Sequence, residues 1–291
     1  MKPNFIDKRK KLLEIFLLKI TSHIYLCNSE AFRVFIHNTL NFNKAEKEVK
    51  IPTLPEIATI YQELFAEYTY FQPSLQQKNE LRELLIEFQE ILTILCKVKR
   101  KAKNSSFAFG KYEESISGLM NGLKTITPLV LSNKNLNIIP KENYVNPYLS
   151  IREWLRADIL DVEAMIEAIN RSITLEEDIR NIEVKIEKKK KSLESVQSGK
   201  KSISQRLFNK TQESIVSDEE KSIEEFELIK DAMEKILTIT IGKMLQCDIP
   251  KFKQQKVYKI CVTMRNYSLC TVQEYQEIAE QILQIEESLG N

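Results

Sequence analysis

The sequence predicts an all-α protein built around three long helices. From Leu81 to Ile126, apolar residues recur at alternating steps of three and four, with one interruption at Ser105. That spacing is typical of the packing seam of a coiled coil. No proline or glycine lies between Pro147 and Gly199, so a second long helix is expected there. The chain has only six glycines, with 29% charged and 43% hydrophobic residues, a composition that favours long helices.

The first 72 residues are predicted to hold shorter helices. Residues 1–40 read as two short helices, the second capped by Ser29. Residues 41–72 read as a linker with one amphipathic helix, which starts near Pro55. The polar face of that helix is acidic, whereas helices that insert into anionic lipid usually have a basic one. We therefore expect it to pack against the long helices.

Residues 73–291 are predicted to form one domain of three helices, at about 74–127, 147–198 and 218–289. Ser74 and Gln77 have the spacing of a capping box. The second helix carries two seams offset from each other, which indicates a bend or a change of packing partner. In the third, Gly242 and Pro250 predict a bend near residues 246–250. Its later apolar residues are expected to face inward: Tyr258, Val262, Leu269, Val272, Tyr275, Ile282 and Leu289.

Three such helices separated by two turn regions predict an antiparallel, supercoiled bundle of kinked helices. Three helices of this length rarely cover all their apolar surface as a single chain, so a dimer is expected.

Several function classes lack sequence support. The chain has no glycine-rich phosphate loop, no HExxH pair and no cysteine–histidine metal spacing, so we expect no enzyme activity, no metal and no cofactor. The net charge of +2 gives no drive toward nucleic acid. The five cysteines read as reduced core thiols of a cytoplasmic protein. No apolar run is long enough to span a membrane, so any membrane contact is expected to be peripheral.

Basic residues are concentrated in two places. Residues 185–210 hold nine basic and two acidic residues where the second and third helices turn around, and residues 97–103 hold five more basic residues at mid-helix. Each basic residue near an anionic membrane contributes about 1 kcal/mol. The alternative is that these basic runs are only solvent-exposed helix faces and bind no partner. The predicted membrane-binding residues are Lys188, Lys189, Lys190, Lys191, Lys200, Lys201 and Arg206, with Lys97, Lys99, Arg100, Lys101 and Lys103.

Two segments resemble sorting nexins of the PX–BAR type. Residues 5–14, followed by Ser22-His23 and by Phe32 and Phe35, resemble the last helices of a PX domain. Residues 100–119, which contain Phe107-Ala108-Phe109-Gly110-Lys111, resemble the first helix of a BAR domain. The order and lengths of the three predicted helices agree with that family, although Pro250 is unusual for it, and the front of a PX domain is absent from the sequence.

The resemblance implies a banana-shaped BAR dimer whose basic concave face and tips bind curved, anionic membrane. Such proteins act in endosomal sorting and intracellular protein transport, peripherally on endosomes, as homo- or heterodimers with another BAR protein. Some work with a retromer-like cargo complex. PX domains bind phosphoinositide headgroups, and the resemblance implies that Arg9 is placed as one of the basic residues of that binding pocket, so a phosphoinositide-containing membrane is an expected partner. The alternative reading is a protein-tethering coiled-coil scaffold with no direct lipid role.

Overall fold

The computed structural model describes residues 3–37, 47, 49–130, 146–198 and 212–290, and these residues form helices without any strand. A 3₁₀ turn, Ala66–Tyr68, follows the fourth helix, and a π-helical turn, Met244–Asp248, joins the last two. The predictions of an all-helical chain and of long helices are confirmed. The helices are α1 (Pro3–Thr21), α2 (Ile24–Cys27), α3 (Glu30–His37), α4 (Leu54–Leu64), α5 (Leu75–Val130), α6 (Tyr148–Gln197), α7 (Gln212–Lys243) and α8 (Ile249–Gly290).

Capping boxes fix the first turns of α4 and α5. At α5, the Ser74 hydroxyl accepts from the Gln77 N–H at 3.2 Å, and the Gln77 side chain accepts from the Ser74 N–H at 2.9 Å, as predicted. At α4, the Glu56 carboxylate accepts from the Thr53 N–H at 2.7 Å and lies 2.9 Å from the Lys50 ammonium. Lys50, and then Thr53, hold the pKa of Glu56 at about 2, because both stabilise the ionised carboxylate.

The chain divides into two compact units. Unit 1 comprises Met1–Phe71 and Ile179–Ile239, and unit 2 comprises Gln72–Asp178 and Thr240–Asn291. Helix α6 contributes to both units and passes from one to the other after Asp178. The first of its two predicted seams ends at Ile173 and the second begins at Leu175, a few residues before this change of unit. The predicted domain limits at residues 40, 72 and 291 stay predictions.

In unit 2, neighbouring parts of α5, α6 and α8 pack along their lengths. Arg82 of α5 lies 2.7 Å from Glu176 of α6, and Ser106 accepts from Asn146 at 3.0 Å just before α6 begins, so these helices are antiparallel. Helix α6 is also antiparallel to α8, since Lys259 lies 3.2 Å from Asp161, and the Tyr267 and Tyr148 rings are 5.4 Å apart. The Tyr267 side chain forms a hydrogen bond that raises the pKa of Tyr148.

The core of unit 2 is built from the helix faces that the heptads predict. Leu155 is fully buried and packs with Ala102 and Ile151, and the half-buried Trp154 lies against this cluster. The buried stripe of α5 does not keep to one heptad. The spacing of three and four that starts at Leu81 places Ser105 and Leu119 on the seam, but the buried residues there are Ser106 and Met120. A straight helix drifts by about 20° per heptad, which moves the buried face by one residue over this length.

In unit 1, the end of α6 packs against α7 in the antiparallel sense. Lys230 of α7 lies 2.8 Å from Glu183, and Glu219 lies 2.8 Å from Lys189. The Glu183 carboxylate raises the pKa of Lys230, because it stabilises the ammonium form. The buried apolar residues of this packing are Ile179, Ile186, Val196, Ile215, Ile223, Ala232, Met233, Leu237 and Ile239.

A π-helical turn, Met244–Asp248, lies where a bend was predicted near residues 246–250, and the bend itself stays a prediction. The Ile249 N–H bonds back to the Met244 carbonyl, five residues away. Pro250 has no N–H, and its ring would crowd the carbonyl four residues earlier in a regular helix. A wider turn immediately before the proline relieves that crowding, so the chain stays helical from α7 into α8.

Two expectations about buried residues are wrong. Six of the later apolar residues of the third helix are exposed in the chain and do not face inward: Tyr258, Val262, Leu269, Val272, Tyr275 and Ile282. The side chain of Leu289 lies outside the described part of the structure. The cysteines are free thiols but not core residues, because Cys96 and Cys261 are exposed and the other three are half-buried. In both cases the residue type favours burial. For the apolar residues of α8, the reason is that this helix has more apolar surface than its neighbours in the chain cover.

Candidate functional site

The basic segment of α5 consists of Lys97, Lys99, Arg100, Lys101 and Lys103. All are exposed except Lys99, which is half-buried. None forms an ion pair or hydrogen bond with another residue that the structure describes. Because Ala102 is buried in the unit 2 core, the helix holds this segment in a fixed orientation with its charged face toward solvent.

The stretch of α5 around the basic segment contains no carboxylate. Between Glu90 and Glu113, α5 has six basic residues and no acidic residue. At 1.5 Å per residue, this stretch extends over about 30 Å. Lys97 and Lys101 are one helical turn apart, so their charges add on one face instead of being neutralised by i,i+4 partners. Such a face attracts anions, and the exposed Phe107 lies one turn beyond Lys103.

The α6 lysines, Lys188, Lys189, Lys190 and Lys191, have a different environment. Lys189 lies 2.8 Å from Glu219, and Lys190 lies 2.8 Å from Glu227. Lys191 lies 4.0 Å from Glu187 on its own helix. Three of the four ammonium groups therefore have a carboxylate partner. Lys188 is exposed and has no ion pair with a described residue.

The remaining predicted site residues are placed as follows. Lys200, Lys201 and Arg206 lie outside the described residues. Arg9 is exposed on α1 and belongs to unit 1, as do the α6 lysines, whereas the basic segment of α5 belongs to unit 2. The structure therefore brings the α6 lysines together with acidic residues of α7 and leaves the basic segment of α5 with no carboxylate among the residues described.

One functional feature was missed in the sequence. The absence of any carboxylate from residues 91–112 distinguishes the basic segment of α5 from the α6 lysines, and this signal can be read from the sequence without a structure. Which of the acidic residues between 213 and 234 would meet the α6 lysines could not be read, because it depends on the register between α6 and α7.

The described residues offer little for other chemistry. They contain no group of three or more histidine, cysteine, aspartate or glutamate side chains placed to hold a metal ion. No helix in the described part of the chain has the length and apolarity needed to cross a bilayer.

No protein-family model and no curated protein sequence matches this chain. The resemblance to sorting nexins therefore rests on the residues quoted for it alone.

Proposed function

We propose that this protein is a dimeric, peripheral membrane-binding protein of the BAR type that senses or generates curvature in endosomal sorting. In this proposal, α5, α6 and the α7–α8 helix form the kinked antiparallel bundle of each subunit. The observation that carries it is the basic segment of α5, five cations without a carboxylate partner among the described residues. The family assignment, the endosomal location and a retromer-like cargo complex come from the sequence resemblance.

The mechanism is electrostatic. A cation that already has a carboxylate partner gains little from a lipid phosphate, because it must exchange one anion for another. Lys97, Arg100 and Lys101 have no carboxylate partner among the described residues, so they lose no ion pair when they bind a lipid phosphate. Each contributes about 1 kcal/mol next to an anionic surface. A helix that is held in place by its packing presents these charges at fixed positions and can thereby impose its own shape on the membrane.

The test is co-sedimentation with vesicles at low salt, using phosphatidylserine-containing vesicles and neutral phosphatidylcholine vesicles in parallel. The wild-type protein is expected to pellet with the anionic vesicles only. Replacing Lys97, Arg100 and Lys101 by glutamine is expected to weaken binding by about a hundredfold, from three lost contributions of about 1 kcal/mol each. Electron microscopy of the same mixtures tests for tubes.

The control variant is Arg171→Gln with Lys235→Gln. Both side chains lie in i,i+4 ion pairs, at 2.9 Å from Glu167 and 2.7 Å from Asp231. Their loss is expected to change vesicle binding less than threefold. If the control loses about two thirds of the binding free energy that the α5 variant loses, in proportion to two charges removed against three, then only net charge matters and the basic segment of α5 is not the binding site.

The second candidate is a protein-tethering coiled coil with no lipid role. The exposed apolar residues of α8 favour it, since they provide a surface for another helix. This function predicts that anionic vesicles do not pellet the protein even at low salt, while it still associates with itself or with another protein.

A further inference from the structure

Helix α8 carries an exposed heptad seam along its outer face. The residues that share this face are spaced alternately by four and three, and each is exposed. The larger apolar members are 38–71% exposed. We call these residues the α8 seam: Tyr258, Val262, Arg265, Leu269, Val272, Gln276, Ala279 and Leu283.

The charges of α8 are separated along its length. Its first part carries five cations and no acid, Lys251, Lys253, Lys256, Lys259 and Arg265. Lys253, Lys256 and Lys259 also have carboxylate partners within the subunit, at Glu87, Asp158 and Asp161. Its last part carries five acids and no cation: Glu274, Glu277, Glu280, Glu286 and Glu287. Two copies side by side in parallel would oppose like charges. Two antiparallel copies would place the basic part of each beside the acidic part of the other.

The α8 seam is also symmetric about its own midpoint, between Cys270 and Thr271. The steps of four and three read the same in both directions, so an antiparallel second copy brings every seam residue opposite another seam residue. Tyr258 then faces Leu283 of the second copy, Val262 faces Ala279, Arg265 faces Gln276 and Leu269 faces Val272. Each of these layers occurs twice because of the two-fold symmetry.

The flanking residues are complementary in the same register. On one side of the seam, Lys259 meets Glu280 of the second copy, and Asn266 meets Gln273. On the other side, Cys261 meets Ile282, and Ser268 meets Tyr275. Lys259 also lies 3.2 Å from Asp161 of its own chain, so Asp161 is the one described acidic group that competes for it. Paired charges at these flanking positions set partner and orientation in coiled coils.

We propose that the α8 seam pairs with the α8 seam of a second copy of this chain, antiparallel and with Leu269 opposite Val272. The inference rests on the dimer contained in the proposed function and adds the partner, the surface and the register. The pairing buries apolar surface that the subunit leaves exposed, and the separated charges favour the antiparallel arrangement over the parallel one.

The first test measures the mass of the protein in solution by sedimentation velocity, with no lipid present. The wild-type chain is expected to be a dimer. In Leu269→Glu, two carboxylates enter the pairing surface opposite Val272, and Arg265 one turn away on the same helix compensates only part of their desolvation, so the dimer dissociation constant should rise by about a hundredfold. Leu228→Glu is the matched control, because Leu228 is 57% exposed on α7 and lies outside the seam. This control is expected to remain a dimer.

Two further variants test the register. Adding Val272→Lys to Leu269→Glu places a lysine opposite each glutamate and should restore the dimer. With Cys96 and Cys261 replaced by serine, Arg265→Cys with Gln276→Cys should form an intermolecular disulfide under mild oxidation, whereas either cysteine alone should not. A monomeric wild type, a dimeric Leu269→Glu or equal cross-linking of the single variants would overturn the proposal. A monomer would mean that another partner covers the seam.

Vesicle co-sedimentation separates this inference from the proposed function. A wild-type dimer that cross-links as expected but does not pellet with anionic vesicles would support the pairing and contradict the membrane proposal. A monomer that pellets with anionic vesicles would overturn the pairing and the dimer, but would leave membrane binding through the basic segment of α5 intact.

Discussion

Lysines have different partners in the two units of this chain. In unit 1, Lys189 and Lys190 of α6 are each 2.8 Å from a glutamate of α7. In unit 2, the basic segment of α5 has no ion-pair partner among the described residues, while Lys256 is 13% exposed and lies between Asp158 and Asp161. The number of lysines in a cluster is therefore a poor guide to how it behaves. The position of nearby carboxylates decides whether a lysine stabilises the fold or can bind an external anion.

The largest expected difference between the units concerns stability. Lys256→Ala leaves Asp158, which is 4% exposed, without its cation, and should destabilise the protein by about 3–5 kcal/mol. Lys190→Ala breaks an ion pair whose partners are both about half exposed, and should cost under about 1 kcal/mol. Urea unfolding followed by circular dichroism measures both. Equal costs would mean that burial does not distinguish the two pairs.

A smaller difference is expected in membrane binding. Lys189, Lys190 and Lys191 can be replaced by glutamine, which removes as many charges as the triple change in the basic segment of α5. Because these three lysines already have carboxylate partners, anionic vesicle binding should fall by less than about tenfold. A loss as large as that of the α5 variant would show that the ion pairs of unit 1 open at the membrane, and that the two clusters contribute equally.

The smallest expected effect is an increase in affinity for anionic vesicles. Glu219→Gln with Glu227→Gln removes the partners of Lys189 and Lys190 and frees two cations. Affinity for anionic vesicles should rise by about threefold to tenfold at low salt, and the rise should disappear at high salt because the added attraction is screened. The matched control is Glu224→Gln with Glu225→Gln, two exposed α7 glutamates with no ion-pair partner among the described residues. Equal gains would indicate a general charge effect.

The sequence alone determined the helical class, the long helices and several of their ends. These features depend on local interactions: the heptad spacing, the capping box of Ser74 and Gln77, and the effect of Pro250 on its own helix. Such interactions involve residues within a few turns of one another, so the order of residues is sufficient to predict them.

Only the tertiary structure decided which predicted seams are covered and which lysines are paired. The seams of α5 and α8 look alike as patterns, yet Phe88 is buried while Tyr258 and Leu269 are exposed. The α6 lysines and the basic segment of α5 also look alike in sequence. Burial and ion pairing depend on the register between helices that are distant along the chain, and a local pattern does not specify that register.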